Sequence, residues 1–120
     1  YTRRKSIRVK LKAEEIPKNT TLSEKTAAFI SKNLANTNLS VDMLADEFSQ
    51  SRRSFYRNLQ IETGMSPGEF IREVRLTSAR ALVAANKNYR LEELATAVGY
   101  KSATSFRKVY EERFGVHPLS

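Results

Sequence analysis

The sequence predicts an all-α protein built from two helix-turn-helix units joined by one long central helix. Three observations predict it. The stretch 49–64, SQSRRSFYRNLQIETG, divides at helical spacing into an apolar back and a cationic front. A matching stretch recurs about fifty residues later. Between the two runs a segment from Pro67 to Asn86 with no internal Gly or Pro beyond Gly68.

In the first stretch, Phe55 and Leu59 point one way, with Phe48 one turn earlier. Arg52, Arg53, Tyr56, Arg57 and Gln60 point the other way. From Ser51 to Gln60 there are three arginines and no acid. A short helix with an apolar back and a bare cationic front suits a DNA major groove, although such a face also occurs simply solvated. The repeat decides between these. Leu44-Ala45 matches Leu94-Ala95 at an offset of 50, and Phe55, Gly64 and Pro67 match Phe106, Gly115 and Pro118 at an offset of 51. One inserted residue in the turn Gly99-Tyr100-Lys101-Ser102 absorbs the difference. The second front face is Ala103, Thr104, Arg107 and Lys108. Lys101 to Tyr110 again holds three cations and no acid. Repetition of apolar, cationic and Gly/Pro positions together argues for a tandem helix-turn-helix.

The 120 residues fit one small domain, or two subdomains sharing a helix. With no cysteine there is neither a disulfide framework nor a thiolate metal site. No apolar run approaches the ~20 residues of a membrane span, and no signal-peptide core is present. The segment therefore reads as cytoplasmic. The net charge is +8. Residues 1–20 carry seven Lys/Arg and two Glu, and residues 21–120 carry fourteen Lys/Arg and eleven Asp/Glu. Within the larger part the signs are sorted. Asp42, Asp46, Glu47, Glu92 and Glu93 fall on the expected scaffold helices, and the cations fall on the two front faces. Sorted charge fits a polyanion docking on one side.

Taken in order, residues 1–20 form a separate basic segment. Ile7, Val9 and Leu11 alternate with Arg8, Lys10 and Lys12, so the segment reads either as a basic linker or as a strand ending a preceding domain. The capping box Thr21-Leu22-Ser23-Glu24 opens the first helix, with Ala27, Phe29/Ile30 and Leu34 as its stripe, and 36–38 ends it. Ser40 caps a second helix, 41–48, with Leu44 and Ala45 inward. The third helix spans 51–63 and stops at Gly64. Ser66-Pro67-Gly68-Glu69 is a second capping box, with proline at the first helical position. It opens the central helix, 67–86, whose expected buried stripe is Phe70/Ile71, Val74, Ser78, Leu82 and Val83/Ala85. The fifth helix spans 91–98. The sixth spans 102–114, capped by Ser102 and stopped by Gly115. The first helix-turn-helix is thus 41–64 and the second 91–114. The central helix, about 30 Å long at 1.5 Å per residue, would hold the two heads about 34 Å apart, one DNA turn. Residues 116–120 repeat the Met65-Ser66-Pro67 position, so a seventh helix would start there and is missing or truncated.

With these residues in hand, positions 21–120 resemble the DNA-binding domain of the AraC/XylS family of bacterial transcription regulators. The resemblance rests on Leu44-Ala45-x-x-Phe48, Ser54-Phe55-Tyr56-Arg57, Glu62-Thr63-Gly64-Met65-Ser66-Pro67, Arg75-Leu76-x-x-Ala79-Arg80-x-Leu82, Leu94-Ala95-x-x-Val98-Gly99-Tyr100, Ser105-Phe106 and Phe114-Gly115-Val116-x-Pro118. It implies a homeodomain-like fold of seven helices that binds double-stranded DNA. By position it assigns base contacts to Arg52, Arg53, Tyr56 and Arg57 and to Ala103, Thr104, Arg107 and Lys108. Two readings stay open at several of these. Tyr56 either contacts bases or packs beside Phe48. Arg57 and Lys108 read bases or only hold phosphates. Arg75 and Arg80 are scaffold ion pairs or DNA ligands, and Glu111, standing where the first unit has Gln60, would keep the rear of the sixth helix off the DNA. The family normally adds a sensor, receiver or dimerisation domain, which is absent from this segment. The basic segment 1–20 also resembles the junction in hybrid two-component regulators. RNA polymerase is a further implied partner. The competing reading is a protein-interaction module whose basic helices dock an acidic partner. No cofactor, metal site or catalytic residue is expected: His117 is the one histidine, the carboxylates are scattered, and the glycines form no phosphate loop.

Overall fold

The computed structural model describes residues 20–86 and 88–120. Among them the chain forms six helices and no strand: α1 Leu22–Lys32, α2 Val41–Glu47, α3 Arg52–Thr63, α4 Pro67–Ala85, α5 Leu91–Ala97 and α6 Ala103–Phe114. The alternative readings of residues 1–19, linker or strand, lie outside the described residues.

Most helix starts are set by a side chain that takes up an otherwise unpaired backbone N–H. Thr21, Ser40, Ser51, Ser66 and Ser102 each accept from the N–H three residues on. Glu24 and Glu69 reach back to complete capping boxes. At α5, Glu93 accepts from the Arg90 N–H at 2.9 Å. The cap of α1 has an additional member. Glu62, near the end of α3, accepts from Leu22 N–H at 3.3 Å and from Ser23 N–H at 2.8 Å. Gly64 and Gly115 both stop their helices at φ 76°, with their N–H groups on Gln60 O and Glu111 O.

The sequence repeat is a structural repeat. In the first unit Gln50 N–H bonds back to Ala45 O, and in the second Tyr100 N–H bonds back to Ala95 O, both at 2.9 Å. The residue before each has positive φ, 55° at Ser49 and 93° at Gly99. Phe55 and Phe106 are both fully buried, and so are Leu44 and Leu94 and the matching prolines Pro67 and Pro118. Each unit surrounds its central phenylalanine with other rings. Phe48 stacks on Phe55 (centroids 6.2 Å apart) and meets Phe29 edge-on. Tyr100 and Tyr110 flank Phe106 at 5.4 and 5.7 Å, and Tyr110 continues to Phe114.

Among the described residues there are two hydrophobic cores rather than one. The first gathers Ile30, Leu39, Leu44, Ala45, Phe55, Leu59, Phe70 and Ile71. The second gathers Leu76, Ala79, Val83, Leu94, Ala95, Val98, Phe106 and Tyr110. The central helix supplies both, the first from its N-terminal part and the second from the remainder.

This corrects the single stripe expected for the central helix. Leu76 and Ala79 are buried, Ser78 is half-buried, and Ala85 is exposed. In α1 the buried positions are Thr26 and Ile30, with Ala27 and Phe29 partly buried, as is Leu34 just beyond the helix. Thr26 is accommodated because its hydroxyl donates to Leu22 O at 2.7 Å. The same helix ends earlier than expected, at Lys32, where Asn33 turns its side-chain amide onto Phe29 O. After Gly115 the chain makes a turn at 118–119, with Leu119 N–H on His117 Nδ1, and no seventh helix begins among the described residues.

Candidate nucleic-acid interface

The first turns of the six helices separate them into two kinds. Those of α1, α2, α4 and α5 carry acids: Glu24, Asp42, Glu69 and Glu92 with Glu93. Those of α3 and α6 carry none. Acids there complement the positive end of the helix dipole, and cations oppose it. Helix α3 places Arg52 and Arg53 in that unfavourable position. Its N-terminal half therefore presents positive charge that no acid of its own first turn offsets, an arrangement that favours an external anion.

Arg52, Arg53, Tyr56, Arg57 and Gln60 line one hollow of about 500 Å³ on the outer face of α3. All five are exposed. Tyr56 is 43% exposed, so it is not part of the packing around Phe48, which is filled by Phe29 and Phe55. Arg52 lies at the edge of the face, 3.4 Å from Asp42 of α2, with both side chains largely in solvent. Such a contact contributes little to stability. Arg53 and Arg57 have no ion pair among the described residues. Behind this face Phe55 and Leu59 anchor the helix, and Asn58 donates to Gln50 in the preceding turn at 3.2 Å.

The equivalent face of α6 is smaller. Thr104, Arg107 and Lys108 are exposed. Ala103 differs, being half-buried and packed against the second core. Glu111, at the position matching Gln60, is half-buried. The structure thus brings together four predicted residues on α3 and three exposed ones on α6, while Ala103 sits at the rim.

Neither Arg75 nor Arg80 forms the expected scaffold ion pair among the described residues. Arg80 lies over the Phe114 ring at 4.7 Å, where Arg113 also sits at 4.7 Å. Arg75 is half-buried and donates to Asn36 O. The ion pair that the sequence did not reveal joins Glu73 of α4 to Arg113 of α6, forty residues apart, through two 2.8 Å hydrogen bonds. It clamps the second reading helix to the central helix. The Arg113 guanidinium beside Glu73 holds its carboxyl below the usual carboxylate range. The folded pKa being the lower, the stabilisation is present above the unfolded pKa and disappears as pH falls through the folded one. Glu73→Gln is therefore expected to lower the thermal midpoint at neutral pH. The variant and the parent should converge only once the solution is acidified below the lowered folded pKa of Glu73, on the acid side of the ordinary glutamate range. A difference that persisted unchanged into acid would assign the effect to packing instead of charge.

No group of metal-ligating side chains occurs among the described residues, and none of their helices is long and apolar enough to cross a membrane.

The helix-turn-helix domain family matches residues 44–120, the span that contains both units. The chain belongs to the AraC-type helix-turn-helix family. That family is made of DNA-binding transcription regulators. Among curated relatives, this AraC-type domain is 30% identical over 97 residues to histidine kinase P4 of Formosa agariphila, an alignment covering 81% of this chain and 7% of that protein. It is 29% identical over 77 residues to the transcriptional activator RhaS of Escherichia coli, covering 64% of this chain and 27% of RhaS. The AraC-type domain thus spans a small part of the relatives it matches. Among solved structures its fold is similar to the DNA-binding domain of AdpA, crystallised with a target DNA. The TM-score there is 0.73 at 24% identity, covering 82% of this chain and 87% of that one.

Proposed function

We propose that the chain binds double-stranded DNA by sequence, inserting α3 and α6 into major grooves, and serves as the reading module of a bacterial transcription regulator. The observation that carries this is the sorting of charge. The two helices without acids in their first turns expose cations that make no ion pair among the described residues, Arg53 and Arg57 on α3 and Arg107 and Lys108 on α6, and they occupy equivalent places in a structural repeat. The DNA complex of the AdpA domain, which has the same fold, supports it.

On this reading Arg53 and Arg57 bind guanine edges, and Tyr56 and Gln60 border them. Arg52 reaches a phosphate at the edge. Thr104, Arg107 and Lys108 act for α6, with the Ala103 methyl beside a thymine methyl. The domain occupies residues 21–120, acts without a catalytic step or cofactor, and works in the cytoplasm. It belongs to a longer chain that supplies sensing or dimerisation, and it contacts RNA polymerase when it activates. The likeness to a protein named a histidine kinase favours a hybrid two-component chain as that setting.

Selection of binding sites from random duplexes tests the reading directly. Arg53→Ala and Arg57→Ala are each expected to cost about 1–3 kcal/mol on the selected site and to relax preference at one position. Inserting about five base pairs between the half-sites turns the second groove roughly half a helical turn away, so one head should lose its footprint. Equal binding of selected and random duplexes, with neither arginine mattering, would leave the acidic-partner reading in its place.

A further inference from the structure

Between the two units lies a junction that neither core explains. Arg75 projects from the middle of α4 and is half-buried. Its Nη2 donates to Asn36 O at 2.7 Å, in the loop between α1 and α2. Its guanidinium lies 5.9 Å from the centre of the Tyr100 ring, in the turn between α5 and α6. Among the described residues no carboxylate pairs with it, and its buried Nε has no hydrogen-bond partner. Burial pulls the guanidinium below its usual pKa and pushes the Tyr100 phenol up.

Gly99 lies against the same group. A Cβ there would fall on the Leu34 carbonyl oxygen and within 2.8 Å of Arg75 Nε and Nη2. The second unit's turn is thus seated directly on the first unit's loop, with the guanidinium between them. Leu34 of that loop packs against both cores.

A half-buried guanidinium lacking a carboxylate among the described residues is an expensive way to fill space. It does one thing an aliphatic side chain cannot. Its planar fork reaches a carbonyl on one side and a ring face on the other at the same time. The central helix alone leaves the units connected by a rod, and rods of this length bend. A lateral contact closes the triangle formed by α4, the α1–α2 loop and the α5–α6 turn.

We propose that Arg75 is the positioning residue that locks the two helix-turn-helix units at one angle, holding Asn36 of the first and the Gly99–Tyr100 turn of the second. The arrangement fixes how the two reading faces are aimed. Its consequence for DNA rests on the two-headed reading proposed above, but the lock itself is testable without DNA.

The chain has no cysteine. Asp46→Cys and Thr96→Cys therefore introduce its only thiols, at exposed repeat-equivalent positions on α2 and α5. Spin labels there report the distance between units by pulsed electron resonance. The otherwise native chain should give one narrow distance distribution. Arg75→Met and Arg75→Lys should broaden it while helicity is retained, because lysine keeps the charge but not the fork. If Arg75→Met unfolds, Arg75→Lys decides. Glu73→Gln, which releases a contact between α6 and the central helix but none between the α1–α2 loop and the α5–α6 turn, should leave the distribution narrow. An unchanged distribution in Arg75→Lys, or equal broadening in Glu73→Gln, overturns the proposal.

On a duplex with both half-sites, Arg75→Lys should then bind about tenfold more weakly through lost effective concentration. It should bind a single half-site as the parent does. If the distances broaden and neither duplex is bound, the lock stands and the DNA reading fails.

Discussion

Phe106→Ala is expected to cost about 3–5 kcal/mol of unfolding free energy, and Phe55→Ala about the same. Both rings are fully buried at equivalent positions of the repeat, each at the centre of its own aromatic group. Truncation removes the transfer energy of the ring. It also leaves a cavity that helices anchored by caps at their starts cannot collapse to fill. Domains of this size are stable by only about 5–15 kcal/mol, so either change removes a large share of the total. Thermal unfolding of the free domain measures it. At about 4–8 °C per kcal/mol, the midpoint should fall by more than ten degrees. Ile61→Ala is the companion measurement. Ile61 lies on the same helix as Phe55 but is 76% exposed, so its loss should stay within about 0.5 kcal/mol. Similar midpoints for Phe55→Ala and Ile61→Ala would contradict the burial described here.

Gly99→Ala should be nearly as damaging, at about 2–5 kcal/mol, from the sum of left-handed strain and overpacking. The first unit supplies an internal comparison. Ser49 occupies the equivalent turn at φ 55° and carries a side chain there, so positive φ alone does not demand glycine. Gly99 is different in two respects. Its φ of 93° lies further from the left-handed well, and its missing Cβ is where the Leu34 carbonyl and the Arg75 guanidinium stand. Gly64 and Gly115 have φ 76° but open space around them, so their alanine variants should suffer only the strain, about 1–2 kcal/mol. Chemical denaturation of the three variants ranks them. Equal losses at positions 64, 99 and 115 would mean that crowding at the junction contributes nothing.

Much of this architecture is local in origin, which is why it is legible in the chain. Helix starts follow from Thr21, Ser40, Ser51, Ser66 and Ser102, and two stops follow from Gly64 and Gly115. The repeat then identifies Phe55 and Phe106 as core without any knowledge of tertiary contacts. The outward faces follow by elimination, and Arg53, Tyr56 and Arg57 are indeed exposed together. What the pattern does not carry is pairing at a distance. Glu73 with Arg113, Glu62 with the start of α1, and Arg75 with Asn36 each join residues about forty positions apart. The central helix misleads for a related reason. A single stripe is the expectation for a helix with one partner, but α4 has two, so its buried positions shift from Phe70 and Ile71 to Leu76, Ala79 and Val83. Ala103 shows the opposite limit. Its place in the repeat puts it on the front face, and its small, half-buried side chain also packs against the second core.

Leu34 lies in no helix, yet it packs against both hydrophobic clusters. Two cores that share a side chain, and a helix, cannot melt independently. Heat put into the first must be partly absorbed by the second. Calorimetry on the free domain should therefore record one endotherm, with the calorimetric and van't Hoff enthalpies in agreement. Damage in one unit then becomes damage in both. A lesion confined by sequence to the first recognition helix is felt energetically at the second, and the domain is present whole or not at all.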